Sequence, residues 1–150
     1  MKNLTSQSVT GLQPLIKEVV VHTSLEKAWK AISDKDEMKE WYFDIAEFRP
    51  EVGFEFTFEG RKDDKIYLHI CKITEVIPLG KISYTWCYDG YPGESLVTFE
   101  LFEEEGMVRV KLTHSGLENF GAENPDFAKK NFAERWDYII AASLKNYLEV

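Results

Sequence analysis

The chain has 150 residues, of which 18 are Lys or Arg and 26 are Asp or Glu, giving a formal net charge of −8. Aromatic residues make up 14% of it, which is too many for a disordered chain and fits one compact domain. An acidic chain with scattered basic residues argues against binding to nucleic acid or to an anionic membrane, because both require clustered Lys and Arg.

The N-terminal part of the chain predicts one strand followed by two short helices. The β-branched run from Leu15 to His22 predicts the first strand. Thr23-Ser24 then offers an N-cap for an amphipathic helix over residues 25–33. The charged stretch from Asp34 to Glu40 predicts the second helix.

The middle of the chain predicts a series of antiparallel strands joined by hairpins. Apolar and polar residues alternate in successive segments, and stretches of turn-forming residues separate these segments. The longest segment, residues 65–77, is expected to contain a bulge near Cys71-Lys72, where the alternation becomes unclear. The predicted strands cover residues 54–58, 65–77, 82–88, 95–102 and 108–114.

The two cysteines, Cys71 and Cys87, are equidistant from Leu79. If Pro78-Leu79-Gly80 forms a three-residue hairpin loop, the two thiols face each other across the ladder, whereas a loop of another length separates them. No N-terminal segment resembles a signal peptide, and no stretch approaches the roughly 20 apolar residues of a membrane span. We therefore expect a cytoplasmic protein with reduced thiols and no membrane span.

The last part of the chain predicts a long helix. Asn124-Pro125 is a typical helix start, with Asn as N-cap and Pro at the first helical position. Apolar residues then recur every three or four positions to form one broad face. This face comprises Ala128, Phe132, Trp136, Ile139, Ile140, Ser143, Tyr147 and Leu148.

The order of elements predicts an α+β fold, in which a curved antiparallel sheet of six to seven strands wraps around the long C-terminal helix. Residues 1–13 are expected to form a flexible tail and residues 14–150 a single domain. A curved sheet that holds one helix often leaves a cavity between them.

The aromatic residues exceed what a modest core needs, and they suit a pocket for a hydrophobic or aromatic small molecule. Ordinary core packing is the alternative for each of them. Trp41 and Phe120 lie on connections that should border the opening of such a cavity. The eleven predicted cavity residues are Trp41, Phe43, Tyr67, His69, Trp86, Tyr88, Phe99, His114, Phe120, Trp136 and Ile140.

Two histidines are the candidate bases if the protein is an enzyme. His69 enters the cavity if it shares the concave face with Tyr67 and Cys71, and His114 alternates in phase with Leu112, so it also points inward. A buried imidazole needs a hydrogen-bond partner and could titrate near neutral pH. No His pair has the spacing of metal ligands and no Cys/His cluster exists, so neither a metal nor a cofactor is expected.

Six segments carry a recognisable pattern in their order and spacing: Ile16–Asp34, Lys39–Tyr42, Phe48–Phe56, Ile82–Trp86, Leu112–Gly116 and Trp136–Leu148. They resemble the START-like (SRPBCC, helix-grip) superfamily, and most of all the branch named for the activator of the ninety-kilodalton heat-shock chaperone ATPase. The resemblance covers about residues 14–149. Arg135-Trp136 departs from the pattern, since a Gly-Trp pair is common there and Arg could alter the cavity shape. Pro50-Glu51-Val52-Gly53 also departs, where a Gly pair often follows Pro.

The resemblance implies a helix-grip fold with a cavity, but it does not fix the function, because the superfamily includes lipid carriers, hormone binders, cyclases and co-chaperone domains. Three hypotheses follow. The first is a protein that binds a hydrophobic, lipid-like or aromatic molecule. The second is a cyclase- or hydrolase-type enzyme that uses His69 or His114, and the third is a co-chaperone domain that stimulates a chaperone ATPase. Monomer and homodimer both stay open.

Overall fold

Six antiparallel strands form one open sheet in a computed structural model of the chain, which describes residues 13–121 and 123–149. The spatial order is β1-β6-β5-β4-β3-β2, so that the first two strands in sequence form the two edges. The predicted tail lies outside the described residues except for residue 13. The strands are β1 (Leu15–Val21), β2 (Glu55–Lys62), β3 (Lys65–Ile77), β4 (Lys81–Tyr88), β5 (Ser95–Glu104) and β6 (Met107–Ser115).

Helices lie after the first strand and after the last strand. The two short helices between β1 and β2 are α1 (Leu25–Ser33) and α2 (Lys35–Trp41). The C-terminal helix consists of α3 (Lys129–Trp136), a π-helical segment (Asp137–Leu144) and α4 (Lys145–Leu148). The predicted α+β helix-grip architecture is therefore confirmed. No helix within the described part of the chain is long and apolar enough to cross a membrane.

The first short helix begins at the predicted cap, and the second begins at Asp34, which caps it instead of lying within it. The Ser24 side chain accepts a hydrogen bond from the backbone N–H of Lys27, and the Asp34 side chain accepts one from that of Asp36. Each cap satisfies a backbone donor that the first helical turn leaves unpaired. The helix pair packs beside β5 and the C-terminal helix.

The alternation in the sequence correctly identifies the inner face of the sheet. On β4, the four alternating residues from Ile82 to Tyr88 are all buried, and on β2 Phe56 and Phe58 are buried while Glu55 and Glu59 are exposed. Neighbouring residues of a strand point to opposite faces, so these strands present aromatic rings to the helix side and carboxylates to solvent.

The β3–β4 hairpin has the predicted three-residue loop, because Ile77 pairs with Lys81. The bulge in β3 lies between Ile73 and Glu75, and not near Cys71-Lys72 as the sequence suggested. A bulge inserts one unpaired residue, which moves every pair beyond it by one position.

This shift separates the two cysteines. Cys87 lies opposite Ile70, and its Sγ lies 3.4 Å from the Ile70 carbonyl oxygen. Cys71 is buried on the inner face, while Cys87 is half-buried, and both are free thiols. The expectation that they face each other is therefore wrong, although the loop length on which it depended is right.

The C-terminal helix starts later than predicted. Asn124 caps a separate 3₁₀ turn, Pro125–Phe127, and the α-helix begins at Lys129 after an extended Ala128. Ala128 is exposed and does not belong to the apolar face. Tertiary contacts explain the separate turn, because the Tyr67 hydroxyl donates to Asp126 at 2.6 Å and accepts from Asn124 at 3.3 Å.

The π-helical segment changes which residues of this helix are buried. Its wider turns keep residues four apart in line, so Trp136, Ile140 and Leu144 all face the sheet. A regular α-helical count missed Leu144, which is fully buried. Ser143 lies beside this face and donates a hydrogen bond to the Trp41 carbonyl oxygen at 2.7 Å.

Candidate ligand site between the sheet and the C-terminal helix

The eleven predicted cavity residues converge between the concave face of the sheet and the C-terminal helix. All are buried except Phe43, which is partly buried and packs against the same core. β3 contributes Tyr67 and His69, β4 contributes Trp86 and Tyr88, and the helix contributes Trp136 and Ile140. The alternating side chains of two hairpin strands and one helix face therefore meet at one place.

The rings at this place touch one another. The Trp86 ring lies 4.9 Å from His69, 5.4 Å from His114 and 5.7 Å from Trp136, measured between ring centroids. Most of these pairs are edge-on or tilted, an arrangement that favours the contact of ring edges with ring faces. We call Phe43, Phe58, His69, Trp86, Tyr88 and Trp136 the inner aromatic cluster.

His114 is fully engaged in a hydrogen-bonded chain. The Trp136 indole N–H donates to His114 Nδ1 at 3.0 Å, so the proton of the neutral ring is on Nε2, which lies 2.7 Å from Ser95 Oγ. Ser95 Oγ in turn donates to the Trp86 carbonyl oxygen at 3.3 Å. Both ring nitrogens thus have partners, and the imidazole ties β4, β5, β6 and the helix together.

His69 forms one well-aligned hydrogen bond. Its Nδ1 lies 3.0 Å from the Tyr67 carbonyl oxygen, and because a carbonyl only accepts, Nδ1 carries the proton. Nε2 is buried and has no hydrogen-bond partner. The ring stacks on Phe58 with centroids 4.4 Å apart and an interplanar angle of 16°. An unpaired acceptor is thus held inside the inner aromatic cluster.

Gly60 provides the space for the His69 ring. Gly60 follows Phe58 on the inner face of β2, and a Cβ added to it would lie 2.6 Å from His69 Cε1. Glycine inside a strand often marks such a close approach. The absence of a side chain here fixes the position of the imidazole.

Both inward histidines are weak bases, contrary to the expectation of titration near neutrality. Burial lowers the pKa of His69 to about 4; the backbone carbonyls of Tyr67 and Phe58 oppose this change, and the charge of Arg135 adds to it. Burial lowers the pKa of His114 to about 3, and the neighbouring His69 lowers it further. Both rings are therefore neutral at pH 7.

The charge of Arg135 acts on His69 and on Tyr88, whose ring lies 4.7 Å from the imidazole. Arg135 is half-buried on α3, next to Trp136, and forms no ion pair with any residue that the structure describes. Tyr88 accepts a hydrogen bond from the Trp86 indole N–H at 2.8 Å. Burial raises the pKa of the Tyr88 hydroxyl, which Arg135 opposes.

A surface cleft of about 460 Å³ lies next to the cluster, between the 3₁₀ turns Leu117–Phe120 and Pro125–Phe127. Phe127 separates the cleft from the cluster, since it lines the cleft and also stacks on Tyr88 with centroids 4.4 Å apart. Phe120, predicted at the opening, packs 5.5 Å from Phe127. Trp41, also predicted there, is buried and donates to the Ala31 carbonyl oxygen instead. The lining residues are Leu117, Glu118, Gly121, Asn124, Pro125, Phe127, Ala128 and Lys129.

Sequence reasoning missed Phe58, Gly60 and Phe127 as parts of the site. Phe58 was detectable from its alternation with Glu59, whereas the role of Phe127 depends on a turn that its sequence context hid within a predicted helix. His22 is exposed, and both its backbone N–H and its Nδ1 contact the Glu149 carboxylate. Among the residues described, no group of three or more His, Cys, Asp or Glu side chains is placed to hold a metal ion.

A family model for Activator of Hsp90 ATPase homolog 1-like protein matches residues 22–149. A search of curated proteins finds no match. Protein BH1534 from Bacillus halodurans is a similar solved structure, with 26% identity, 92% of this chain and 98% of that chain covered, and a TM-score of 0.71.

Two further solved structures share the fold. The Aha1 dimer from Colwellia psychrerythraea is 23% identical, with 93% of this chain and 98% of that chain covered and a TM-score of 0.68. DynU16, described as a protein of the dynemicin biosynthetic locus, is 14% identical, with 92% of this chain and 48% of that chain covered and a TM-score of 0.73. At these identities the likeness establishes the fold.

Proposed function

The chain belongs to the Activator of Hsp90 ATPase homolog 1-like family, and from this premise we propose that it binds a hydrophobic or aromatic small molecule between its sheet and its C-terminal helix. The eleven predicted cavity residues would line the bound molecule, which would reach them through the cleft beside Phe127. Fold alone does not assign this function, so the proposal depends on the site.

One observation carries the proposal: a single side chain, Phe127, lies between an open cleft and the inner aromatic cluster. Its ring packs against Tyr88 and Phe120, and we expect its rotation about the side-chain bonds to connect the cleft with the cluster. Ligand sites are commonly apolar, with a few polar groups inside, which matches rings that surround one unpaired imidazole nitrogen.

The low basicity of the histidines favours binding over catalysis. A general base works best when its pKa lies near the operating pH, whereas the pKa of His69 is about 4 and that of His114 about 3. His114 also uses both of its nitrogens in hydrogen bonds within the protein. If the protein does turn a substrate over, unchanged turnover in a His69→Asn variant would exclude His69 as its base.

Titration calorimetry with 2-methoxynaphthalene tests the proposal directly, and we expect binding with a stoichiometry near one. In the Phe127→Ala variant the separating ring is gone, so the association rate constant of the probe should be about tenfold higher than in the wild-type protein. A tenfold change corresponds to a barrier that is lower by about 1.4 kcal/mol. Phe102→Ala is the matched control, because Phe102 lies on the opposite face of the sheet beside Arg109. Absence of binding, together with an empty native mass after purification from the original host, would refute the proposal.

A co-chaperone role is the second candidate, and the family description is the observation that favours it. Such a domain acts through its surface, so it predicts a direct complex with a heat-shock chaperone and faster ATP hydrolysis by that chaperone. The two roles separate experimentally, because Phe127→Ala should change ligand association without changing the ATPase rate. Absence of both complex and stimulation removes this candidate.

A further inference from the structure

We infer that the ligand carries a phenol- or enol-like hydroxyl group that donates a hydrogen bond to His69 Nε2, an inference that rests on the proposed function and specifies the chemical class of the ligand. Three features of the site support it: the unpaired acceptor, the charge of Arg135 on the adjacent helix, and the rings around the imidazole.

Because His69 Nε2 is an unpaired acceptor, a ligand that pairs with it must donate a hydrogen bond. His69 Nδ1 already donates to the Tyr67 carbonyl oxygen, so Nε2 presents a lone pair. Only 1% of the residue is exposed, and burying a polar atom without a partner is costly. A carboxylate has no proton to donate at pH 7, so two acceptors would face each other. A ligand O–H or N–H group fits instead.

Arg135 distinguishes between these two donors. Its charge acts on both His69 and Tyr88, and no described residue pairs with it. A hydroxyl oxygen that gives its proton to Nε2 still has lone pairs, which a nearby positive charge stabilises. An ammonium group would be repelled, and an indole-type N–H has no lone pair left to offer. A hydroxyl group therefore satisfies both residues.

The surrounding rings favour an aromatic or flat conjugated scaffold behind that hydroxyl group. His69 is stacked on Phe58 and lies edge-on to Trp86 and Tyr88, with centroids 4.9 Å and 4.7 Å away. A flat ligand ring can replace such contacts face to face or edge to face. Hydroxyl groups on aromatic or conjugated carbon are also the more acidic ones, which donate the stronger hydrogen bonds.

The test compares 2-naphthol with 2-methoxynaphthalene, which differ by one methyl group on the oxygen, by titration calorimetry at pH 7.5. Wild-type protein should bind 2-naphthol at least about tenfold more tightly, which corresponds to about 1.4 kcal/mol. In His69→Phe the ratio should fall to about twofold or less, since phenylalanine keeps the ring contacts without the acceptor. Phe58→Leu is the control: it should lower the affinity for both probes and leave the ratio of the two affinities unchanged.

A spectroscopic readout covers the case in which His69→Phe does not fold. With ¹⁵N-labelled histidine in the wild-type protein, the Nε2 resonance of His69 should move on addition of 2-naphthol and stay in place with 2-methoxynaphthalene. Equal affinities for the two probes, an unchanged ratio in His69→Phe, or tighter binding of 2-naphthoate would overturn the inference while leaving the proposed function intact. If neither probe binds, the inference and the proposed function are both refuted.

Discussion

Lowering the pH from 7.5 to 5 is expected to reduce the free energy of unfolding by about 4 kcal/mol. The reason is that two histidines stay neutral while buried in the folded protein but become protonated when the chain unfolds. The pKa of His69 is about 4 and that of His114 about 3 in the folded protein, whereas an unfolded histidine titrates near 6.5. Below pH 6.5 the unfolded chain binds more protons, so stability falls with pH. Each residue contributes about 2 kcal/mol at pH 5.

Because both pKa values are lowered in the folded protein, the two histidines stabilise the fold at neutral pH and lose this effect in acid. The stabilisation is complete above pH 6.5 and is lost as the pH falls towards the folded values of about 4 and 3. Urea denaturation at pH 7.5, 6 and 5 measures it, and typical domains have only 5–15 kcal/mol in total. His69→Phe should halve the loss, because it removes one of the two buried imidazoles. A pH-independent unfolding free energy would contradict the prediction.

The strand pattern and the inner face could be predicted from the sequence, because the two-residue period reports burial directly. The positions of the short helices were predictable for a similar reason, since Ser24 and Asp34 cap them through contacts only a few residues away. The bulge after Ile73 was not located. Its effect on register arises between strands, where local sequence does not show which residue stays unpaired.

The site was predictable as a collection of inward rings, but its polar details were not. Which nitrogen of His69 is protonated depends on the Tyr67 carbonyl, and which nitrogen is unpaired depends on the whole of its surroundings. Gly60 looked like an ordinary strand residue until the imidazole was placed against it. Similarly, Asn124-Pro125 has the local chemistry of a helix start, yet hydrogen bonds to Tyr67 hold it as a separate turn.

The two histidines thus have the same chemistry and opposite roles. His114 uses both nitrogens within the protein, so it stabilises the fold across β4, β5, β6 and the helix. His69 keeps one nitrogen unpaired in the same aromatic interior, so it is suited to recognise something that the protein itself does not contain. If this division is right, a variant at the His114 network should damage stability first and ligand selectivity little.

Trp136→Ala is expected to lower the free energy of unfolding by about 5 kcal/mol, the largest effect expected of one substitution in this chain. The buried ring packs near Tyr42, Trp86 and Phe99, and Trp-to-Ala changes in cores cost about 3–5 kcal/mol. The substitution also leaves His114 Nδ1 buried without its donor, which adds about 1–3 kcal/mol. Urea denaturation at pH 7.5 measures the total.

Trp136→Phe separates the hydrogen bond from the ring, because it keeps most of the apolar contact and removes the indole N–H. Trp29→Phe is the matched control: Trp29 is half-buried on α1, and its indole N–H has no hydrogen bond among the described residues. We expect a loss of about 2 kcal/mol at Trp136 and less than about 1 kcal/mol at Trp29. The indole donates to neutral His114, so its removal lets Nδ1 accept a proton more readily and raises the pKa of His114.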